Sequence, residues 1–148
     1  MRIDILNCFR QDEFWSVEGI RTMENKSNAG KAIGYEYDEK QLNYRLVWSD
    51  EFDLGNRPNP SKWSYDAGVH FNNELQYYTD AENAVVEDGR LIITAKKQDR
   101  NGFKYTSARL VSKNKGDWLY GKFDISAKLP LGIGTWPAIW MLPTKNIY

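Results

Sequence analysis

Residues 84–95 read AVVEDGRLIITA, and this stretch is the clearest local indication of the fold class. Two β-rich runs, Ala84–Glu87 and 90–95, flank the dipeptide Asp88-Gly89. An Asp-Gly pair between two such runs is a strong hairpin signal, because both central positions of a type I′ turn need positive φ. We therefore predict an antiparallel β-hairpin here.

Short β-rich runs continue on both sides of this hairpin, from residue 44 onward. They lie at 45–48, 74–79, 105–112, 118–129 and 135–142, and Asn, Pro and Gly cluster at 55–60. Runs at this spacing, separated by turn-forming residues and without a long amphipathic helix, are typical of antiparallel sandwiches and jelly rolls. The sequence therefore predicts an all-β domain.

The chain changes character near residue 43. The first 43 residues mix Phe14, Trp15 and Val17 with charged residues, and then become polar from Glu24. We expect a short helix around 11–23 and a loosely ordered linker at 24–41. This gives two segments, a linker or atypical N-terminal extension at 1–43 and a β-domain at 44–148.

Composition excludes several classes of protein and site. Twenty Lys and Arg balance twenty Asp and Glu, so no net charge favours nucleic acid or an anionic membrane as partner. Cys8 and His70 are the only residues of their types, which excludes an internal disulfide and a two-His metal site. We expect His70 to be a loop residue. The chain shows neither a long apolar run nor a secretory signal peptide.

Aromatic residues are abundant. They make up 14% of the chain and include six Trp and nine Tyr. Most are explained by core packing, but Trp and Tyr also form flat apolar surfaces with a polar edge, which suit sugar rings. Both interpretations stay open for individual residues at this point.

Four strings, all in one order, carry a family resemblance. They are LVWSDEFD at 46–53, NNELQYYT at 72–79, YTSARL at 105–110 and WLYGKFDISAKLPLGIGTWPAIWMLP at 118–143. Together they resemble the laminarinase branch of glycoside hydrolase family 16, the endo-1,3-β-glucanases. The resemblance implies a concanavalin-like β-jelly-roll sandwich whose concave sheet forms an open glucan-binding cleft.

The family's chemistry is retaining hydrolysis by two glutamates and an assisting aspartate in an E-x-D-x-x-E strand. Retaining enzymes need two carboxyl groups about 5 Å apart, one as nucleophile and one as acid and base. No such motif occurs in the 148 residues, since Glu36-Tyr37-Asp38 and Glu51-Phe52-Asp53 both lack the final glutamate. We therefore expect the N-terminal half of a catalytic domain, an incomplete jelly roll without catalytic residues of its own.

The resemblance implies four substrate-binding residues. Trp136 and Trp140 lie four apart in an extended segment, so both point to one face and match tryptophans that stack on glucose. Arg109 matches an arginine that binds glucan hydroxyls, the alternative being a surface ion pair. Strand alternation puts Asn72 and Asn73 on opposite faces, so only one of them can reach the cleft. We favour Asn72. The neighbouring Glu74 is an alternative as an orienting partner.

The resemblance also implies a structural calcium ion and no cofactor for the chemistry. Its ligands would be the carboxylate of Glu51 and the backbone carbonyl of Gly89. Calcium takes six to eight oxygens, so these two groups alone would hold it poorly. The alternative for Glu51 is a solvated charge at a strand edge.

The function expected from the resemblance is hydrolysis of O-glycosyl bonds in β-glucans. The expected partner is β-1,3-glucan or mixed-linkage glucan, with a second polypeptide completing the sandwich and no nucleic acid or membrane. The alternative is a non-catalytic β-glucan-binding protein or an inactive fragment. Family members are usually secreted, so an extracellular location is expected.

Overall fold

A computed structural model describes residues 1–8, 14–25, 44–68 and 72–145. Within these ranges the chain forms eleven β-strands and no helix, so no described segment is a helix long and apolar enough to span a membrane. The strands are β1 (Arg2–Cys8), β2 (Phe14–Asn25), β3 (Tyr44–Asp50), β4 (Ser64–Tyr65), β5 (Gln76–Thr79), β6 (Ala84–Glu87), β7 (Arg90–Thr94), β8 (Lys96–Arg100), β9 (Phe103–Val111), β10 (Lys122–Lys128) and β11 (Trp136–Leu142). The all-β fold class is confirmed.

The strands form two sheets. One has six strands in the order β11-β1-β9-β4, with β5 and β8 also paired to the long strand β9. The other has five strands in the order β10-β2-β7-β6, with β3 also paired to β2. All these pairs are antiparallel except β5 with β9, which run parallel.

The predicted hairpin is confirmed as β6 and β7. Ala84 pairs with Ile93 and Glu87 pairs with Arg90, so two residues form the turn. Asp88 and Gly89 have φ of 49° and 69°, the positive values that a type I′ turn requires at both positions. The right-handed twist of that turn matches the twist of the strands it joins.

The hydrophobic core lies between the two sheets. The six-stranded sheet contributes Ile3, Ala108 and Leu110, and the five-stranded sheet contributes residues that include Ile20 and Leu91. At one end, the indoles of Trp63 and Trp118 contact that of Trp48 edge-on, with ring centroids 5.5 and 5.3 Å away. Core packing therefore accounts for these three tryptophans.

A buried carboxylate anchors this aromatic end of the core. Asp50 is 5% exposed and accepts a hydrogen bond from the Trp63 indole N–H at 2.7 Å. Lys62 donates to the other carboxylate oxygen at 3.2 Å, and its ammonium lies 5.9 Å from the Trp48 ring centroid. Asp50, part of the LVWSDEFD string, is therefore held by a charge partner and an indole.

The helix predicted around 11–23 is wrong, because residues 14–25 form β2. This strand pairs with β10 on one side and with β7 and β3 on the other. Local apolar spacing compatible with a helix is overridden by pairing along both edges. Strands β1 and β2 thus take part in the two sheets, whereas residues 26–41, most of the predicted linker, lie outside the described residues. The boundary at residue 43 stays a prediction.

Candidate functional site

The candidate site lies on the outer face, which we define as the face of the six-stranded sheet directed away from the core. Strand β11 shows which residues reach it. Ile139 and Met141 pack against the core cluster. Because successive side chains of a strand point to opposite faces, Trp136, Ala138 and Trp140 point to the outer face.

Both predicted sugar-stacking tryptophans are accessible on this outer face. Trp136 is 67% exposed and Trp140 is 38% exposed. Their Cα positions lie about 13 Å apart along the strand, from four steps of about 3.3 Å, which leaves room for two sugar units side by side. The structure therefore offers two separate aromatic surfaces in one row, although their contact with sugar stays a prediction.

Arg109 lies on the same face and contacts Trp140. Its neighbours in β9, Ala108 and Leu110, are in the core, so the arginine points outward. The guanidinium carbon lies 5.3 Å from the Trp140 ring centroid, within the range of a cation–π interaction. The residue is only 8% exposed. Arg109 is therefore an embedded cation on the outer face, and its contact with glucan hydroxyls stays a prediction.

Asp66 completes this group, and it was not among the residues singled out in the sequence. Its carboxylate Oδ2 lies 3.2 Å from Nε of Arg109, and its backbone N–H donates to the Arg109 carbonyl at 2.9 Å. The Asp66 side chain is 39% exposed, against 9% for Arg109. Asp66 reaches the outer face only because the two-residue strand β4 pairs with β9. This pairing joins distant parts of the chain, so no local sequence pattern indicates the role of Asp66.

Asn72 and Asn73 lie in a loop that leads back to the same sheet. Gly68 and Tyr78 exchange backbone hydrogen bonds of 2.9 and 3.1 Å at the base of the loop. Both asparagines are exposed and have positive φ, 72° and 53°, in a turn before β5. The strand alternation assumed for them is therefore wrong, and the geometry gives Asn72 no advantage over Asn73.

Glu74 and His70 are the two other residues near this loop that the sequence analysis considered. Glu74 is half-buried, and its Oε2 has no hydrogen-bond partner among the described residues. His70 lies outside the described residues. The suggestion that Glu74 orients a neighbour stays a prediction.

The two predicted calcium ligands lie away from this face. Glu51 follows β3 and has a polar partner of its own, and Gly89 is in the β6–β7 turn. The described residues contain no group of three or more His, Cys, Asp or Glu side chains suited to a metal ion. Calcium needs six to eight oxygens, which these two groups do not supply, so the calcium site stays a prediction.

One titratable group stands out, and it lies on the core side. Burial raises the pKa of the Tyr65 phenol above its ordinary value of 10.0, an effect that Arg57 partly opposes. Tyr65 packs against the core cluster, and its hydroxyl has no hydrogen-bond partner within the described part of the chain. This shift therefore reports packing and not acid–base chemistry at the outer face.

Comparisons with known proteins agree with the resemblance. A family model described as "Beta-glucan synthesis-associated protein SKN1/KRE6/Sbg1" matches residues 5–145. A beta-glucanase of Rhodothermus marinus is 53% identical over 120 residues, which cover 78% of this chain and 42% of that protein. A glucan endo-1,3-beta-glucosidase A1 of Niallia circulans is 38% identical over 135 residues, covering 79% of this chain and 20% of that protein. The chain thus spans less than half the length of these relatives.

The solved structure of the laminarinase from Rhodothermus marinus is 54% identical to this chain. It covers 51% of the chain and 32% of its own length, with a TM-score of 0.48. The family match extends over β1 and β2 as well as over the four strings, and the partial β-jelly-roll sandwich expected for this family agrees with the two sheets. The chain therefore belongs to the SKN1/KRE6/Sbg1 family of beta-glucan synthesis-associated proteins and to the laminarinase-type group of glycoside hydrolase family 16.

Proposed function

We propose that the outer face binds β-1,3-glucan, and that this chain carries part of the cleft of a retaining endo-1,3-β-glucanase. One observation carries the proposal: Trp136 and Trp140 stand exposed in a row on one sheet face, with Arg109 fixed beside the second indole. The names of the relatives, a beta-glucanase and a glucan endo-1,3-beta-glucosidase, support the same substrate class.

Aromatic stacking would supply most of the affinity. A large exposed apolar ring is costly to leave in water, and covering it with the C–H face of a sugar returns part of that free energy. Two exposed tryptophans whose Cα positions lie about 13 Å apart along one strand suit an extended polymer better than a single small sugar. The site therefore favours a polysaccharide chain running along β11.

The polar groups of the face suit an uncharged ligand. Arg109 and Asp66 are paired at 3.2 Å, so their charges largely compensate each other at the surface. Hydroxyl groups can donate and accept beside such a pair without bringing a further charge. This favours neutral glucan, either β-1,3-linked or mixed-linkage, over a sulfated or carboxylated polysaccharide.

A second function is a β-glucan-binding protein without hydrolytic activity. The observation that favours it is the lack of an E-x-D-x-x-E motif in the 148 residues. Binding by the outer face does not require that motif. Hydrolysis does, because a retaining mechanism uses two carboxyl groups about 5 Å apart.

The open edges of the two sheets support the further proposal of a second polypeptide. Among the described strands, β10 pairs only with β2 and β11 only with β1, so each has one edge without a partner. The connection between them exposes Leu129, Leu131 and Ile133. Unpaired edges beside exposed apolar side chains are sites of strand addition. Secretion and calcium binding stay predictions from the family resemblance.

Affinity electrophoresis through gels that contain laminarin tests binding. We expect the folded chain to be retarded by laminarin and less by carrageenan of the same concentration. An unretarded folded chain would contradict the proposed substrate. Reading the transcript in frame past the codon for Tyr148 tests hydrolysis. Codons for an E-x-D-x-x-E motif would support the endo-1,3-β-glucanase, and a stop codon would support the glucan-binding protein without hydrolytic activity.

A further inference from the structure

Ala138 lies between the two exposed tryptophans of the outer face. It is half-buried in β11, two residues from Trp136 and two from Trp140, and strand alternation puts all three on one face. The Cα of each tryptophan is therefore about 6.6 Å from the Cα of Ala138, from two steps of about 3.3 Å. A ligand that contacts both indoles must pass over this alanine.

Ala138 is packed against Tyr78, which belongs to β5 at the other side of the same sheet. Tyr78 is fully buried and lies apart from the main core cluster. It pairs with Ser107 in the parallel pair of β5 and β9, and Ser107 is two residues before Arg109, so the Tyr78 side chain points to the outer face. The tyrosine thus closes one side of Ala138, whereas the exposed part of the alanine faces solvent.

The contact between Tyr78 and Ala138 shows that the outer face is concave. Strand β4 lies on the far side of β9 from β1, and Gly68, just after β4, exchanges backbone hydrogen bonds with Tyr78. Tyr78 and Ala138 are thus three strand spacings of about 4.8 Å apart, or about 14 Å on a flat sheet. One tyrosine side chain does not span that distance, so the sheet curves toward the outer face.

We propose that Ala138 is a specificity-determining residue, whose small side chain leaves a recess between the two indoles and so lets one glucan chain contact both. This proposal rests on the proposed function of the outer face and deepens it, because it adds selection for a long chain over a short oligosaccharide. A disaccharide that stacks on one indole does not need the recess. A chain that spans both indoles does.

A larger side chain at position 138 would fill this recess. Valine and threonine are larger than alanine, and both are β-branched residues that suit a strand, so β11 itself is retained. Because Tyr78 occupies one side of Ala138, the added bulk has to extend toward the ligand. The glucan chain would then keep one indole and lose contact with the other, together with the aromatic surface buried there.

Two ligands of different length separate this role from a general disturbance of the face. Calorimetry on the full 148-residue chain measures binding of a β-1,3-linked glucose hexamer and of the corresponding disaccharide. The variants are Ala138→Val and Ala138→Thr, with unfolding followed in parallel. Ala127→Val is the matched control, because Ala127 is an exposed alanine in β10, the edge strand of the other sheet.

We expect both Ala138 variants to weaken binding of the hexamer about 10-fold, the usual scale of overpacking, and binding of the disaccharide about 2-fold or less. The control should bind both sugars as the parent does. Equal weakening of the two sugars would overturn the proposal, since it would show a general disturbance of the face. Unchanged binding of the hexamer, or a parent chain that binds both sugars equally, would also overturn it.

The folding of the variants is itself decisive. Loss of cooperative unfolding in both Ala138 variants would overturn the proposal, because it would show that no open space lies over Ala138. Failure of the folded parent chain to bind the hexamer would instead overturn the proposed function of the outer face, a result that the parent gives without any variant.

Discussion

The guanidinium carbon of Arg109 lies 5.3 Å from the ring centroid of Trp140, although β1 separates their two strands. Neighbouring strands are about 4.8 Å apart, so only a long side chain can bridge two such spacings. Arginine also has the planar group that stacks on an indole, which lysine lacks. This contact therefore links β9 to the edge strand β11 and fixes the orientation of an exposed aromatic ring.

The first prediction concerns that contact. Arg109→Lys keeps the charge but loses the planar face and the donor fork, so Trp140 is held less firmly. We expect glucan binding to weaken about 5-fold, because an indole that is no longer held in place must be ordered on binding, at about 1 kcal/mol for one side chain. Retardation in laminarin gels measures it. Arg100→Lys, which alters an exposed ion pair with Glu82 at 3.2 Å, is the control and should bind as the parent does.

The second prediction concerns the anchor of the aromatic core. Asp50→Ala leaves the buried Trp63 indole N–H without its acceptor at 2.7 Å and removes the partner of Lys62. We expect the free energy of unfolding to fall by about 3 kcal/mol, the cost of losing hydrogen bonds to a buried charged group. Urea titration followed by tryptophan fluorescence measures it.

Asp53→Ala is the control for Asp50, because Asp53 is exposed in the same segment. Its effect on the free energy of unfolding should stay within about 0.5 kcal/mol. Equal losses in the two variants would contradict the assignment of Asp50 as a buried anchor.

The third prediction uses the phenol of Tyr65. Burial raises its pKa above 10.0, so above that pH the folded chain still holds a proton that the unfolded chain has released. The free energy of unfolding then falls as pH rises, and the contribution that Tyr65 makes below pH 10 is lost. Tyr65→Phe should lessen this decline between pH 9 and 11, as measured by urea titration at each pH.

At neutral pH we expect Tyr65→Phe to change the free energy of unfolding only slightly. The Tyr65 hydroxyl has no hydrogen-bond partner among the described residues, so its removal breaks no bond that they supply. Parallel pH profiles for the parent and Tyr65→Phe would show that the decline comes from other groups.

Sequence patterns predicted the strands that have strong local signals. The Asp88-Gly89 turn and the β-branched run in β7 indicated a hairpin, and the structure has it. Strand β8 was missed because its sequence, KKQDR, is polar and mostly exposed, with no β-rich alternation. Strand β2 was taken for a helix because its two pairing edges come from residues distant in the chain.

Part of the candidate site was also predictable from the sequence. Trp136 and Trp140 follow from period-two alternation in one strand. The embedding of Arg109 and the presence of Asp66 do not, because they depend on the pairing of β4 with β9 and on a contact across β1. The left-handed turn at Asn72 and Asn73 also escaped prediction, since strand alternation was assumed at these two residues and β5 begins only at Gln76.

We propose that the outer face binds β-1,3-glucan through Trp136 and Trp140. Calorimetric titration of the 148-residue chain with a β-1,3-linked glucose hexamer measures this binding, with the variant Trp136→Ala/Trp140→Ala alongside and Leu119→Ala as an exposed apolar control. We predict saturable binding by the parent and the control, since burial of aromatic surface supplies about 1–3 kcal/mol per ring. In the double variant we predict at least a 10-fold loss of binding with cooperative unfolding retained, although at a lower midpoint because the contact between Arg109 and Trp140 is removed. No binding by the folded parent, or equal binding by the double variant, would contradict the claim.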